Sequence, residues 1–292
     1  GSASTADLAW EAVAETVRKA LSIARFTARD EFAGLADAEL MARELPDLDL
    51  CHPWALDAEA AIELARECEA AALGFDPRVR NSEGSSVGTH RGLRVYGNTH
   101  GFVGGYPATS HSVSCVVLAQ EGDDMQRDYW YDTARVATAL EPVAEIGRRA
   151  ARRALERLGA RKLATCRAPV LFVPELARGL LGHFVGAIRG AAQYRKSSFL
   201  LGAAGEQIFP AWLSMRERPH LPRALGSAPF DNDGVATRER VLVDRGTLQG
   251  YVLDAYSARK LGLVTTGNAG GVHNLEVEGG TGDFSAMLAR LG

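Results

Sequence analysis

The stretch that decides the fold is Ser112-Val113-Ser114-Cys115-Val116-Val117-Leu118-Ala119, closed by the turn residues Glu121-Gly122-Asp123-Asp124 and followed by Tyr129–Val136. Two β-prone runs joined by so short a polar connection predict neighbouring antiparallel strands. Working back from it, Phe102–Tyr106 and Leu93–Val95 are further extended segments. Gly97-Asn98 and Gly104-Gly105 stand as turn signals around them. The region 78–136 therefore reads as an antiparallel meander.

Helices flank the meander. Before it, Asp57 caps a helix running to about Leu73, with Ala61, Leu64, Ala65, Cys68 and Ala72 on one face and Gly74 as its stop. After it, Glu141-Pro142 opens a helix with a stripe of Val143, Ile146, Ala150, Ala154, Leu155 and Leu158, closed by Gly159. Asp7 is a candidate N-cap for a first helix through Ala24. Residues 27–56 lose periodicity and carry Pro46 and Pro53, as a linker or an irregular connection does.

Beyond residue 165 the chain becomes β-rich. Cys166–Val173 is an apolar strand candidate. Pro174 then starts a helix to about Ile188, with Ala177, Leu180, Leu181, Phe184 and Ile188 on its apolar side. Arg240–Asp244 and Gly250–Ala255 flank Arg245-Gly246 as in a hairpin. Ser257–Leu261 and Phe284–Leu291 are short helical pieces. The fold class is α+β, with a helix-flanked antiparallel sheet in the middle domain followed by a β-rich C-terminal domain. The expected division is 1–56 as the remnant of an N-terminal segment and linker, 57–164 as the middle domain, and 165–292 as an incomplete C-terminal domain.

Composition narrows the function. The 292 residues are 46% hydrophobic and 24% charged, with formal charge −3. Acids and bases are interspersed, so bulk electrostatics favours neither nucleic acid nor a membrane surface. The longest apolar runs are too short to span a bilayer. The four cysteines, Cys51, Cys68, Cys115 and Cys166, are scattered without a CxxC, which favours free thiols in a reducing compartment.

Motifs for chemistry are sparse. The seven histidines, at 52, 90, 100, 111, 183, 220 and 273, include no two within five residues, and none precedes a Glu. A helical zinc-hydrolase signature is therefore missing. Gly84-Ser85-Ser86-Val87-Gly88 fits G-x-S-x-G, but a β segment follows it where a nucleophile elbow needs a helix. Its plain reading is a turn between strands. His111 and Cys115 share one strand face, as a Cys–His pair or as half-buried packing. Gln193–Ser198 is a basic segment that would grip an acidic partner or lie as a solvated turn. Thr265-Thr266-Gly267-Asn268-Ala269-Gly270-Gly271 is the most unusual loop. It would either cradle a carboxylate or peptide backbone, or make a tight packed connection.

Whole segments carry more than motifs. Val170–Glu175, Gly179-Leu180-Leu181-Gly182-His183-Phe184-Val185-Gly186-Ala187, Gln193–Leu200, Pro219–Pro222, Gly226–Asp231, Tyr256–Gly262 and Thr266–Asn274 occur in an order that resembles the PmbA/TldE side of the TldD/PmbA metalloprotease family. That family's chains extend further at both ends, so this sequence resembles one truncated at both.

The resemblance implies a cytoplasmic bacterial complex of two subunits that degrades unfolded or leader peptides. In it the TldD subunit holds zinc with an HExxxH helix and a further Cys. Aligning the Leu-Leu before that motif with Leu180-Leu181 puts Gly182 at the first His, His183 at the Glu and Ala187 at the second His. Gly and Ala have no donor atom, and a site needs about three protein ligands. The resemblance thus implies no catalytic residue and no metal in this chain, with zinc in a TldD-like paralogue as heterodimer partner. A homodimer in isolation is the alternative state that the resemblance leaves open. His183, Asn268, Gly270 and Gly271 are the candidate substrate or interface residues. The rival readings are a self-associating peptide-binding scaffold and a metallopeptidase with a non-standard site.

Overall fold

The structure is a computed structural model describing residues 1–280 and 282–291. It separates into two compact units, residues 1–34 and 35–292. The first holds α1 (Trp10–Phe26), a helix with no buried residue. Asp7 does not cap it. The N-cap is Ala9, whose N–H donates to Asp7 Oδ1 at 2.9 Å.

The second unit opens with 35–56, part of the stretch 27–56 that the sequence presents as a linker or an irregular connection. Its apolar residues Ala36, Met41, Ala42, Leu48 and Leu50 are nevertheless buried. Its backbone is also tied down, with Thr109 N–H donating to Leu50 O at 2.9 Å. Next comes α2 (Ala58–Leu73), capped by Asp57, which accepts from Ala60 N–H. Three antiparallel strands follow in the order β1 (Val79–Gly97), β2 (Val103–Glu121) and β3 (Asp124–Ala134).

Both long strands have 19 residues, longer than the several short segments predicted. Gly104-Gly105 lies inside β2, paired with Tyr96 and Val95, and is not a turn. A Cβ at Gly104 would stand 2.6 Å from the Phe102 ring, so the glycine admits close aromatic packing. G-x-S-x-G lies within β1 and is neither the elbow nor the expected turn between strands, because residues 84–88 pair with β2. His111 and Cys115 share the inward face of β2 and are both fully buried. His111 is held by Thr89 Oγ1 at 2.8 Å and His52 O at 2.9 Å.

Helix α3 (Val143–Glu156) lies with α2 against the inward face of the sheet. Cys68, Ala72, Val113, Cys115, Val117, Ile146, Ala150 and Ala154 form this first core. The face of α3 next to β3 is basic. Arg149 and Arg153 stack over Trp130, and Arg153 and Arg157 reach buried Asp128.

Residues 160–173 form no strand. The expected strand Cys166–Val173 has apolar side chains, but no neighbouring strand pairs with it among the described residues. Val170 and Phe172 stay exposed. An extended segment becomes a strand only when a neighbour accepts its backbone groups.

The rest holds α4 (Pro174–Ile188), α5 (Gly190–Tyr194), α6 (Ala255–Leu261) and α7 (Phe284–Ala289). A four-stranded sheet accompanies them, in the order β6 (Thr247–Leu248), β5 (Arg240–Asp244), β4 (Ser214–Glu217) and β7 (Leu275–Glu278). The hairpin at Arg245-Gly246 is present, but its second strand is only Thr247–Leu248. Gly250–Ala255 contributes a single bridge, Val252 to Arg189. The second core joins Phe184, Val185 and Ile188 of α4 to Met215, Leu242, Val243 and Leu248 of this sheet. A third core packs the tip of the β1–β2 hairpin, through Phe102, on Phe230, Val235, Met41 and Ala255. The class is α+β, as expected.

Candidate functional site

Helix α4 begins at Pro174, whose fixed φ and missing N–H suit the first helical turn. Its inward residues Phe184, Val185, Ala187 and Ile188 are buried. The other side is bare. At Gly179, Gly182 and Gly186 a Cβ would meet no atom within 4 Å. Leu176, Leu180 and His183 are exposed beside them.

Gly182 and His183 thus lie on the open face, while Ala187 is turned inward. The Ala187 carbonyl accepts from Gln193 Nε2 and Ser198 Oγ, each at 2.7 Å. The Gln193–Ser198 segment is therefore a cap over the end of α4, with Gln193 buried. Gly182 and Ala187 offer no donor atom, and His183 is one imidazole. No group of three His, Cys, Asp or Glu suited to a metal occurs among the described residues. These residues do not fit a zinc ion.

The other candidates lie at the C-terminal end of α4. Asn268, Gly270 and Gly271 line a cavity of about 160 Å³ with Arg189, Gly190, Ala191, Val252, Asp254 and Ser257. His183 is not among its lining residues. The loop adopts positive φ at Gly267 (72°), Gly270 (106°) and Gly271 (127°), conformations open to glycine at little cost.

The buried Asn268 side chain fixes the loop's shape. Its Oδ1 accepts from Arg240 Nη1 at 2.6 Å and Thr266 Oγ1 at 2.7 Å. Its Nδ2 donates to Glu217 Oε1 at 2.7 Å and Gly271 O at 3.1 Å. Both lone pairs and both protons are thereby used, which leaves only the loop's backbone for a ligand.

Glu217, Arg240, His273 and Asp231 support the loop and were not singled out by the sequence. Glu217 Oε1 also accepts from His273 N–H at 2.7 Å and lies 3.0 Å from His273 Nδ1. Arg240 Nη1 lies 3.7 Å from Glu217 Oε2, in a pair almost closed to solvent. Burial holds the Arg240 guanidinium below its ordinary value. Asp231 Oδ2 accepts from Ala269 N–H at 2.8 Å. Burial pushes the Asp231 carboxyl up, against three N–H donors that pull it down. These residues are remote in sequence and fit no spacing rule. The one available signal was a charged residue at the end of each of β4 and β5.

A second concavity, about 500 Å³, runs beside β3. It is lined by Tyr129–Thr133, Arg153, Glu175, Leu176, Arg178 and Leu225. Strand β3 pairs only with β2 among the described residues, so its outer edge is unpaired there. Arg178 Nη2 donates to Tyr131 Oη at 2.8 Å, joining α4 to that edge.

Two domain families account for most of the chain. Residues 51–158 match the PmbA/TldA metallopeptidase central domain, and 165–292 match the PmbA/TldA metallopeptidase C-terminal domain. The chain belongs to the PmbA/TldD family. Metalloprotease PmbA of Escherichia coli O157:H7 is 50% identical over 292 residues, which is 100% of this chain and 65% of that protein. A PmbA homologue of Haemophilus influenzae is 44% identical, again over 100% of this chain and 65% of its own length. The chain thus spans 65% of these curated PmbA relatives.

Among solved structures, a protein of Bacteroides thetaiotaomicron described as a candidate modulator of DNA gyrase superposes with a TM-score of 0.90. It is 30% identical, over 98% of this chain and 66% of that one. TldE from Thermococcus kodakarensis superposes at 0.68 with 21% identity, over 96% of this chain and 65% of its own, and shares the fold. No helix among the described residues is long and apolar enough to cross a membrane.

Proposed function

We propose that this chain is the non-zinc subunit of a heteromeric metalloprotease of the PmbA/TldD family, acting in the cytoplasm on unfolded or leader peptides. One observation carries the reading. Helix α4 keeps an open glycine-lined face, and the two residues that the family resemblance sets against the paralogue's zinc-binding histidines, Gly182 and Ala187, have no donor atom. The zinc belongs to a TldD-like paralogue, and this chain contributes architecture and peptide contacts. The unpaired edge of β3 suits that role, because strand addition recognises an extended peptide through its backbone and so tolerates many sequences.

The test is reconstitution. The purified full-length protein is assayed for bound zinc and for cleavage of an unfolded peptide, alone and with an HExxxH-bearing paralogue from the same genome. The expected result is no stoichiometric zinc and no cleavage alone, with cleavage on mixing. One tightly held zinc per chain with unaided cleavage overturns the reading. Stable self-association with no binding to the paralogue favours a scaffold instead.

A further inference from the structure

We infer that the cavity at the C-terminal end of α4 binds the carboxylate of an amino acid or of a peptide's C-terminus. The inference rests on the reading of the Asn268–Gly271 loop as a peptide contact and adds the chemical class that it takes.

Three observations converge there. Arg189 lines the cavity, and its Nη2 lies close over Gly271, 2.9 Å from where a Cβ would stand. Unlike Arg240 and Arg259, whose guanidiniums are tied to Asn268, Tyr251, Leu35 and Asp37, the Arg189 guanidinium has no ion-pair or hydrogen-bond partner among the described residues. In the loop beside it, the Gly271 N–H donates to Asn268 O and the Gly271 carbonyl accepts from Asn268 Nδ2. The Gly270 N–H has no acceptor among the described residues, and a side chain at 270 would run into Asn232 at 2.7 Å. The buried Asn268 network holds this backbone in place, so little ordering is needed on binding.

An unpartnered guanidinium that lines one cavity with an N–H without an acceptor suits a carboxylate, which takes charge-assisted bonds from such donors. Asp254 lines the same cavity. Its negative charge disfavours a dianion such as phosphate and leaves room for an ammonium group. About 160 Å³ accommodates one small residue.

The experiment is calorimetric titration of the full-length protein with N-acetyl-Ala-Ala, its C-terminal amide, free alanine and inorganic phosphate. It is repeated on R189M and R189K, with circular dichroism confirming the fold. The acid should bind at least about ten-fold tighter than the amide, the scale of one or two charge-assisted bonds. R189M should abolish that difference and R189K should retain part of it. Tight binding of free alanine marks an amino-acid site, and binding of the peptide acid alone marks a chain-terminus site. Equal binding of acid and amide, no binding of any carboxylate, or tighter binding of phosphate overturns the inference. Because the readout is affinity without cleavage, the site stands or falls separately from the reconstitution result.

Discussion

Glu217 is nearly inaccessible, and three donors converge on one of its oxygens while Arg240 faces the other. Removing the carboxylate strands a buried cation and three donors. E217A should lose about 3–5 kcal/mol of stability, and E217Q, which keeps an acceptor, about 1–3 kcal/mol. Urea denaturation followed by fluorescence measures both. A loss below 1 kcal/mol in E217A would show that the network is dispensable.

His220 bonds Thr237 Oγ1 at 3.0 Å, and burial holds its pKa below the ordinary 6.5. The unfolded chain therefore takes up the proton first. The stabilisation from His220 is whole above pH 6.5 and is lost as pH falls from there through the depressed folded value. H220Q should show a flatter dependence of urea midpoint on pH across that window; an unchanged slope would assign the effect elsewhere.

Little of this was readable in the sequence. Residues 217, 240, 268 and 273 come together only after β4, β5 and the glycine loop are in place, and no period or motif links them. What the sequence did show was the loop itself. Three glycines in five residues from Gly267 announce a backbone that side chains would obstruct.

At the scale of elements, two helix glycines should respond oppositely to the same substitution. Gly147 of α3 lies against α2, where a Cβ would collide with the Cys68 carbonyl oxygen. G147A should destabilise by about 1–3 kcal/mol through overpacking. Gly182 of α4 faces open space, so G182A should stabilise by about 0.5–1 kcal/mol through helix propensity. Thermal melts of the two variants check the signs, and a destabilised G182A would mean that the open face is packed in solution.

Helices were the most legible elements, because α2, α3 and α4 carry both a periodic stripe and a stop or start residue. Strands were less so. Residues 166–173 have strand composition but no partner to pair with. The doubled glycine at 104–105 reads as punctuation, yet Gly104 admits the Phe102 and Phe230 rings and Gly105 the close approach of Arg94 and Val95.

For the whole molecule, the described residues of the second unit form three cores, and Phe230 sits in the one that joins the hairpin tip to the C-terminal region. F230A should cost about 3–5 kcal/mol, seen as a drop in urea midpoint. A loss under 1 kcal/mol would mean that the tip is not anchored. Thiol accessibility gives an independent view. Cys166 is exposed, Cys51 half-buried, and Cys68 and Cys115 are enclosed. The Cys68 thiol is also pushed up, first by its hydrogen bond to Cys115 and then by burial. Ellman's reagent should modify Cys166 rapidly, Cys51 more slowly, and the other two only after unfolding. Rapid reaction of all four would contradict the first core. The order of elements and the family were legible at this scale, because segment order survives where single positions drift.

The β1–β2 pair runs from the first core to the third, with register shifts only between Val79 and Gly84. At 19 residues and about 3.4 Å per residue it reaches on the order of 60 Å. A beam of that kind works as a girder. The two regions it joins cannot swing about a swivel; they move only by bending a paired ribbon along its length. The spacing between the first core and the third should therefore stay set, a rigid gauge fixed before any guest arrives.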